Sequence, residues 1–243
     1  MVSSQAQLEE HPTAAVRELL RGTPGHGEPV DGRCGSLQKS ERGSGERARR
    51  AETYTRLGRV QLCGFIVKGI EAGRGYALPT PIEANCWPTP LSCRNVVGIA
   101  ETGSHKMLAY VLPAVIHDSR HPPRQRHEGP IAVLLAPTRE VAKQIHSMAY
   151  ELGKHAAERI VCAANGERKK SKYAELQGGC HIFVATPRCL IEFLEEGQVN
   201  LHRCTYLVFD EVDRMLSMGY QRHVLKIVEL CRPDRQTLMW ATS

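Results

Sequence analysis

From residue 96 onward the chain alternates short apolar runs with longer amphipathic stretches. Val96 to Ala100, Ile131 to Ala136, Ile160 to Ala164, Ile182 to Ala185, Tyr206 to Phe209 and Gln236 to Ala241 read as buried strands. Between them the pattern predicts helices from after Met107 to about His117, from after Glu140 to about Lys154, over Lys169 to Gln177, and from Thr186 to about Glu196. Met215 to Leu230 holds one or two helical turns and a helix, broken at Gly219. Asp118 to Pro130 is polar, contains proline, and reads as a loop. Short strands alternating with helices predict right-handed βαβ crossovers and an α/β fold, with a mostly parallel sheet flanked by helices on both faces. Ligands of such sheets bind at the edge formed by the C-terminal ends of the strands.

The first part of the chain has a different texture. Residues 1 to about 60 hold few apolar clusters, and Arg21 to Arg59 is rich in Gly, Arg, Ser and Glu. Such a segment buries too little surface to offset the entropy of ordering, so a disordered basic tail is expected, with a short helix possible near Ala14 to Arg21. Its arginines suit either simple solvation or contact with phosphates. A weak helical period runs from Leu62 to Glu71. Leu78-Pro79-Thr80-Pro81-Ile82-Glu83 is then a rigid extended turn set by its two prolines. The folded domain is placed at residues 61–243.

Composition narrows the class. A chain of 243 residues with 42% hydrophobic content supports one large α/β domain plus a tail. The net charge of +6 leans toward polyanionic partners. Nine cysteines are scattered without a C-x-x-C pair or zinc-ligand spacing, so reduced thiols and no disulfides are expected, in an intracellular protein. No apolar run approaches the roughly 18 residues of a membrane span, and Met1 to Glu10 lacks an apolar signal core.

Candidate chemistry collects where strands end. Tyr206-Leu207-Val208-Phe209 runs into Asp210-Glu211-Val212-Asp213, three carboxylates in four positions. Asp210 is placed to hold a hydrated Mg²⁺, an ion that prefers one or two carboxylates with waters and phosphates. Glu211 is placed to orient or deprotonate a water. An isolated acidic turn would give the same pattern. The strand before Ala100-Glu101-Thr102-Gly103-Ser104-His105-Lys106-Met107 leads into a segment suited to phosphate: backbone N–H groups at a helix start, close approach at Gly103, and the point charge of Lys106. Thr138 suits a helix cap whose neighbouring N–H groups face phosphate.

In this order the motifs resemble those of the DEAD-box RNA helicases, in the first of the family's two RecA-like P-loop domains. Residues 78–83 resemble the adenine-reading segment, with Glu83 where the family has Gln. Residues 100–107 resemble the Walker A loop, so the resemblance implies that Ala100, Glu101, Thr102, Gly103, Ser104, His105, Lys106 and Met107 contact ATP. Pro137-Thr138-Arg139-Glu140 matches an RNA-backbone motif. Gly166 falls in a second RNA-contact segment, and Thr186-Pro187-Arg188 resembles a third. Asp210-Glu211-Val212-Asp213 is similar to Walker B, which implies Asp210 as the Mg²⁺ ligand and Asp210, Glu211 and Lys106 as the catalytic group. Trp240-Ala241-Thr242 resembles the motif that couples to Asp213. Arg232 to Trp240 is similar to a nuclear subfamily that acts in splicing and transcription, which favours the nucleus over the cytoplasm.

The departures bear on activity. His105 stands where the family has Gly. Met107 replaces a Ser or Thr whose hydroxyl serves Mg²⁺, and a thioether is a poor ligand for so hard a cation. An ionised Glu83 accepts hydrogen bonds but donates none to the adenine edge. Arg188 and Cys189 replace a Gly-Arg pair. The family's second RecA-like domain is not within these 243 residues. The resemblance therefore implies an ATP-Mg and RNA-backbone binding domain, with hydrolysis and unwinding impaired in this chain alone. The alternatives are a helicase-derived fragment that binds RNA passively, or one that binds protein partners.

Overall fold

The computed structural model describes residue 90 and residues 94–99, 104–122, 128–154, 158–167 and 169–241. The basic tail, the helical period at 62–71, Glu83, Ala100, Glu101, Thr102, Gly103 and Thr242 lie outside them, as do the side chains of Ser104 and His105.

The elements follow the predicted alternation: β1 (Val96–Ile99), α1 (Ser104–Ser119), β2 (Ala132–Leu135), α2 (Arg139–Gly153), β3 (Ile160–Ala163), α3 (Lys169–Gln177), β4 (Ile182–Ala185), α4 (Pro187–Glu195), β5 (Tyr206–Phe209), α5 (Val212–Ser217), α6 (Gln221–Leu230) and β6 (Gln236–Ala241). The strands form one sheet in the order β1-β6-β5-β2-β4-β3. Every pairing is parallel, with Leu134 beside Val208 on one flank and Val184 on the other. The strands β2, β4, β5 and β6 are buried along their whole length, which explains apolar runs without alternation.

The strand order also sorts the helices. From β1 the chain steps across to β2 and on to β3, then returns through β4 and β5 to β6. With right-handed crossovers, the outward steps place α1 and α2 on one face and the return steps place α3 to α6 on the other. The core divides accordingly. Leu108, Val111, Leu112, Ala142 and Ile145 pack with Leu134, Val184, Val208, Leu238 and Trp240. Leu190, Phe193, Val212, Met215, Val224 and Ile227 pack with Val133, Phe183, Leu207 and Met239. Adjacent strand residues point to opposite faces, so Leu238 and Trp240 join the first core while Met239 and Ala241 join the second.

Two boundaries differ from the sequence reading. Ser104, His105, Lys106 and Met107 already belong to α1, whereas the pattern alone starts the helix after Met107. The apolar period begins there, but backbone geometry starts the helix a turn earlier. The strand predicted at 131–136 is regular over Ala132–Leu135, and its flanking residues still bond the neighbouring segments, Ile131 N–H to His181 O and Ala136 N–H to Ala185 O, each at 3.0 Å.

Opposite the predicted ligand edge, two carboxyls shielded from solvent are held above the usual carboxylate range. Burial pushes Asp118 up to about 6, against the pull of Arg203. Burial and the Asp118 charge push Glu158 up to about 8. The folded chain therefore holds protons that the unfolded chain has released between the ordinary carboxyl range and pH 8. Stability is expected to fall as pH rises through that window, by at most about 1.4 kcal/mol per pH unit for each group. Urea unfolding at pH 5, 6.5 and 8 checks the slope, and Glu158→Gln should flatten its upper half.

Candidate nucleotide and nucleic-acid site

Because all six strands run parallel, the segment after each one emerges on the same sheet edge. Along that edge the order is Lys106 after β1, Ala241 at the end of β6, residues 210–213 after β5, residues 137–140 after β2, residues 186–188 after β4, and Gly166 after β3. The strand order thus separates the phosphate-type residues from the nucleic-acid-type residues. The acidic segment lies between them.

The β1 and β5 ends are two strand spacings apart, roughly 10 Å. Lys106, in the first turn of α1, closes that gap. Its Nζ lies 3.1 Å from Asp210 Oδ1 and 3.7 Å from Glu211 Oε1, with both the lysine and Asp210 side chains essentially inaccessible to solvent. The contact is a buried ion pair, and among the described residues neither Lys106 Nζ nor Asp210 Oδ1 has a further hydrogen-bond partner. The other carboxylate oxygen, Oδ2, accepts a 2.9 Å hydrogen bond from the Tyr110 hydroxyl. Burial holds the Asp210 carboxyl above the usual carboxylate range, while Lys106 and Tyr110 pull it down. Burial, reinforced by the Asp210 charge, pushes the Tyr110 phenol well above its ordinary value, so it is a neutral donor.

Glu211 carries the one positive φ among the described non-glycine residues, at φ 53° and ψ 50°. It occupies the N-cap position of α5 without a side-chain cap hydrogen bond, and the helix begins one residue later. Turning from strand to helix within two residues drives this residue into the left-handed region, at a strain on the order of 1–3 kcal/mol. Its carboxylate accepts from Arg214 at 3.2 Å as well as facing Lys106. Met107, next to the phosphate-type lysine, packs into the α1-side core at 7% exposure.

The donor set fits a magnesium-bound phosphate in part. A buried ammonium with unused donors suits phosphate, and a buried carboxylate oxygen with unused lone pairs suits a hydrated Mg²⁺. Met107 offers neither an oxygen nor an exposed side chain. Among the described residues no group of three or more His, Cys, Asp or Glu side chains is placed to hold a metal by itself, so any magnesium there relies on phosphate and water oxygens.

On the other half of the edge, Thr138 caps α2 from extended backbone, and its Oγ1 accepts from Val141 N at 3.4 Å. Arg139 is half-exposed and pairs with Glu167 at 3.6 Å. Gly166, at φ 83°, leaves the end of the Arg139 guanidinium 3.8 Å from where a Cβ would stand, so these two loops meet. Pro137 is buried and Glu140 is exposed. Thr186 sits at 1% exposure before Pro187, which opens α4 at the position where proline is preferred. Arg188 is exposed and pairs with Glu192 at 3.1 Å. Asp213 is half-buried, in the first turn of α5, and Ala241 ends β6 beside Ile99.

Sequence patterns passed over Tyr110, Arg214 and Glu167, each of which touches a residue they had singled out. Helical spacing held the signal for two of them. Tyr110 is one turn beyond Lys106, and Arg214 is three residues beyond Glu211. Glu167 reaches Arg139 only through the packing of two loops.

Residues 80–243 match the DEAD/DEAH box helicase family. The chain belongs to this family. It is 50% identical over 184 residues to the ATP-dependent RNA helicase p62 of Drosophila melanogaster, a match that covers 76% of this chain and 26% of that protein. It is 50% identical over 168 residues to the probable ATP-dependent RNA helicase DDX17 of Homo sapiens, covering 69% of this chain and 23% of the relative. Among solved structures, the yeast DEAD-box splicing factor Prp28 superposes with a TM-score of 0.68 at 32% identity, covering 74% of this chain and 44% of that one. The chain spans about a quarter of the length of these two sequence relatives. The sheet described above is thus the RecA-like fold of a DEAD-box helicase domain. No helix among the described residues is long and apolar enough to cross a membrane.

Proposed function

We propose that this DEAD-box helicase domain binds ATP with Mg²⁺ between α1 and β5, and RNA backbone along the β2–β4–β3 half of the same edge. Lys106 would hold the phosphates and Asp210 the ion. Glu211 is placed to orient the attacking water. A bound Mg²⁺ supplies charge that polarises the phosphoryl oxygens. Arg139 and the N–H groups at the start of α2 would meet RNA phosphates, giving sequence-independent, salt-sensitive affinity. Asp213 and Ala241, with Thr242, would couple the two halves. Hydrolysis and unwinding by this chain alone are read as impaired, because Met107 gives the ion no hard ligand. The nucleus is the compartment that the similarity to p62-type relatives favours.

The observation that carries the nucleotide reading is the buried Lys106–Asp210 ion pair, whose facing atoms have no further hydrogen-bond partner among the described residues. Thermal unfolding with and without Mg-ADP tests it. At about 100 times its Kd, a ligand adds about 2.7 kcal/mol, which for a chain of this size raises the Tm by roughly 5–10 °C. The Lys106→Ala/Asp210→Asn double variant is expected to show no shift. No shift in the parent at millimolar nucleotide, or an equal shift in the variant, overturns the reading.

The burial of Met107 favours a second reading, an RNA-binding fragment without turnover. RNA retention that falls steeply with salt and is indifferent to nucleotide would support it over the first.

A further inference from the structure

Lys106 and Tyr110 stand one helical turn apart on α1, so their side chains leave the same face. Both end on the same carboxylate. Lys106 Nζ faces Asp210 Oδ1 at 3.1 Å, and the Tyr110 hydroxyl donates to Oδ2 at 2.9 Å. A buried carboxylate on a short side chain has one free rotation that matters, the turn of its two oxygens about the Cβ–Cγ bond. Two different donors on its two oxygens fix that rotation.

The phenol is itself fixed. Tyr110 is wholly buried, its ring lies 6.2 Å from that of Trp240, and its own backbone carbonyl accepts a 3.1 Å hydrogen bond from the Tyr206 hydroxyl. Tyr206 begins β5, the strand that runs directly into Asp210. Helix α1 is therefore tied to β5 near both ends of the strand. One of those ties, the Tyr110 hydroxyl, terminates on the residue read as the ion ligand. A hydroxyl has a single proton to donate, so the Tyr110 hydroxyl is committed to Oδ2, while Oδ1 faces the lysine.

We infer that Tyr110 is a positioning residue for magnesium at this site: it holds Asp210 in the rotamer that turns Oδ1 toward the phosphate lysine and leaves that oxygen available to the ion. The need is greater here than where a serine or threonine follows the lysine. Met107 packs in the core and supplies no oxygen, so the orientation of Asp210 carries more of the ion's placement. Tyr110 touches neither phosphate nor ion. It acts through Asp210. The inference rests on the proposed nucleotide reading.

The test is a titration of the whole chain with N-methylanthraniloyl-ADP, in the presence and absence of Mg²⁺. In the parent, Mg²⁺ should tighten nucleotide binding, and Asp210→Asn should abolish that tightening. Tyr110→Phe keeps the ring and so keeps the core filled. It is expected to reduce the Mg²⁺-dependent tightening about tenfold, the loss of one hydrogen bond to a charged group, with the metal-free affinity unchanged. Tyr206→Phe is the matched control: it removes an equally buried hydroxyl that ties the Tyr110 backbone but does not reach Asp210, and should cost much less of the Mg²⁺ effect than Tyr110→Phe. If Tyr110→Phe retains the parent's Mg²⁺ effect, or if Tyr206→Phe loses as much, the positioning role is overturned while the nucleotide reading stands. If the parent shows no Mg²⁺ effect, or Asp210→Asn keeps it, the nucleotide reading fails and the inference falls with it.

Discussion

Lys106→Ala is expected to lower the stability of the ligand-free chain by about 3–5 kcal/mol, and adding Asp210→Asn should restore most of the loss. Asp210 has no exposed surface, and Lys106 is the cation within ion-pair distance of it among the described residues. Removing the lysine leaves a buried carboxylate whose side chain, among the described residues, is held by the Tyr110 hydroxyl alone. One neutral hydrogen bond does not offset the desolvation of a charge. Replacing the carboxylate by an amide removes the charge and retains an oxygen for Tyr110 to donate to. The two substitutions should therefore be strongly non-additive, in contrast to distant sites. Urea unfolding of the parent, the two single variants and the double variant measures the coupling. Losses that simply add would mean that Lys106 and Asp210 do not interact in the folded chain. The same argument makes the double variant a better binding control than Lys106→Ala alone, since its fold is disturbed less.

The second large effect belongs to Trp240. It is completely buried in the α1-side core, where its ring covers Gly98 on the neighbouring strand. A Cβ built on Gly98 would stand 2.4 Å from the indole Cζ3, so the glycine leaves the space that the ring fills. Trp240→Ala is expected to cost about 3–5 kcal/mol, because Gly98 has no side chain to collapse into the cavity. Gly98→Ala is expected to cost about 1–3 kcal/mol by overpacking. Gly98→Ala placed in the Trp240→Ala background should instead be tolerated, since the obstructing ring is gone. Thermal unfolding of the single and double variants decides it. An undiminished penalty for Gly98→Ala without the tryptophan would show that Gly98 is required by its backbone and not by the ring. The tryptophan also packs against Tyr110, so its removal should loosen the helix that carries Lys106.

How much of this was legible from residues alone depended on whether the signal was local. The strands β2, β4 and β5 were plain in the sequence because burial on both faces leaves no polar positions. The edge strand β1 alternates between buried and half-buried positions and was still readable as a short apolar run. Helix α3 was predicted over the residues it occupies, although it buries none of them completely. The start of α1 was placed a turn late, because hydrophobic period marks where a helix is packed and not where its backbone begins. The departures at Met107 and Arg188 were visible as residue types. That Met107 turns into the core and that Arg188 pairs with Glu192 were not.

By itself the sequence determined the alternation of strands and helices, the identity of the residues at each strand end, and their order along the chain, all of which follow from periodicity and side-chain chemistry within short windows. The tertiary structure alone decided that β6 lies between β1 and β5, that Lys106 and Tyr110 grip opposite oxygens of Asp210, and that Glu211 takes a left-handed turn. Strand order and long-range contact depend on which surfaces bury one another most completely. That is a property of the whole packed chain, and no local window contains it.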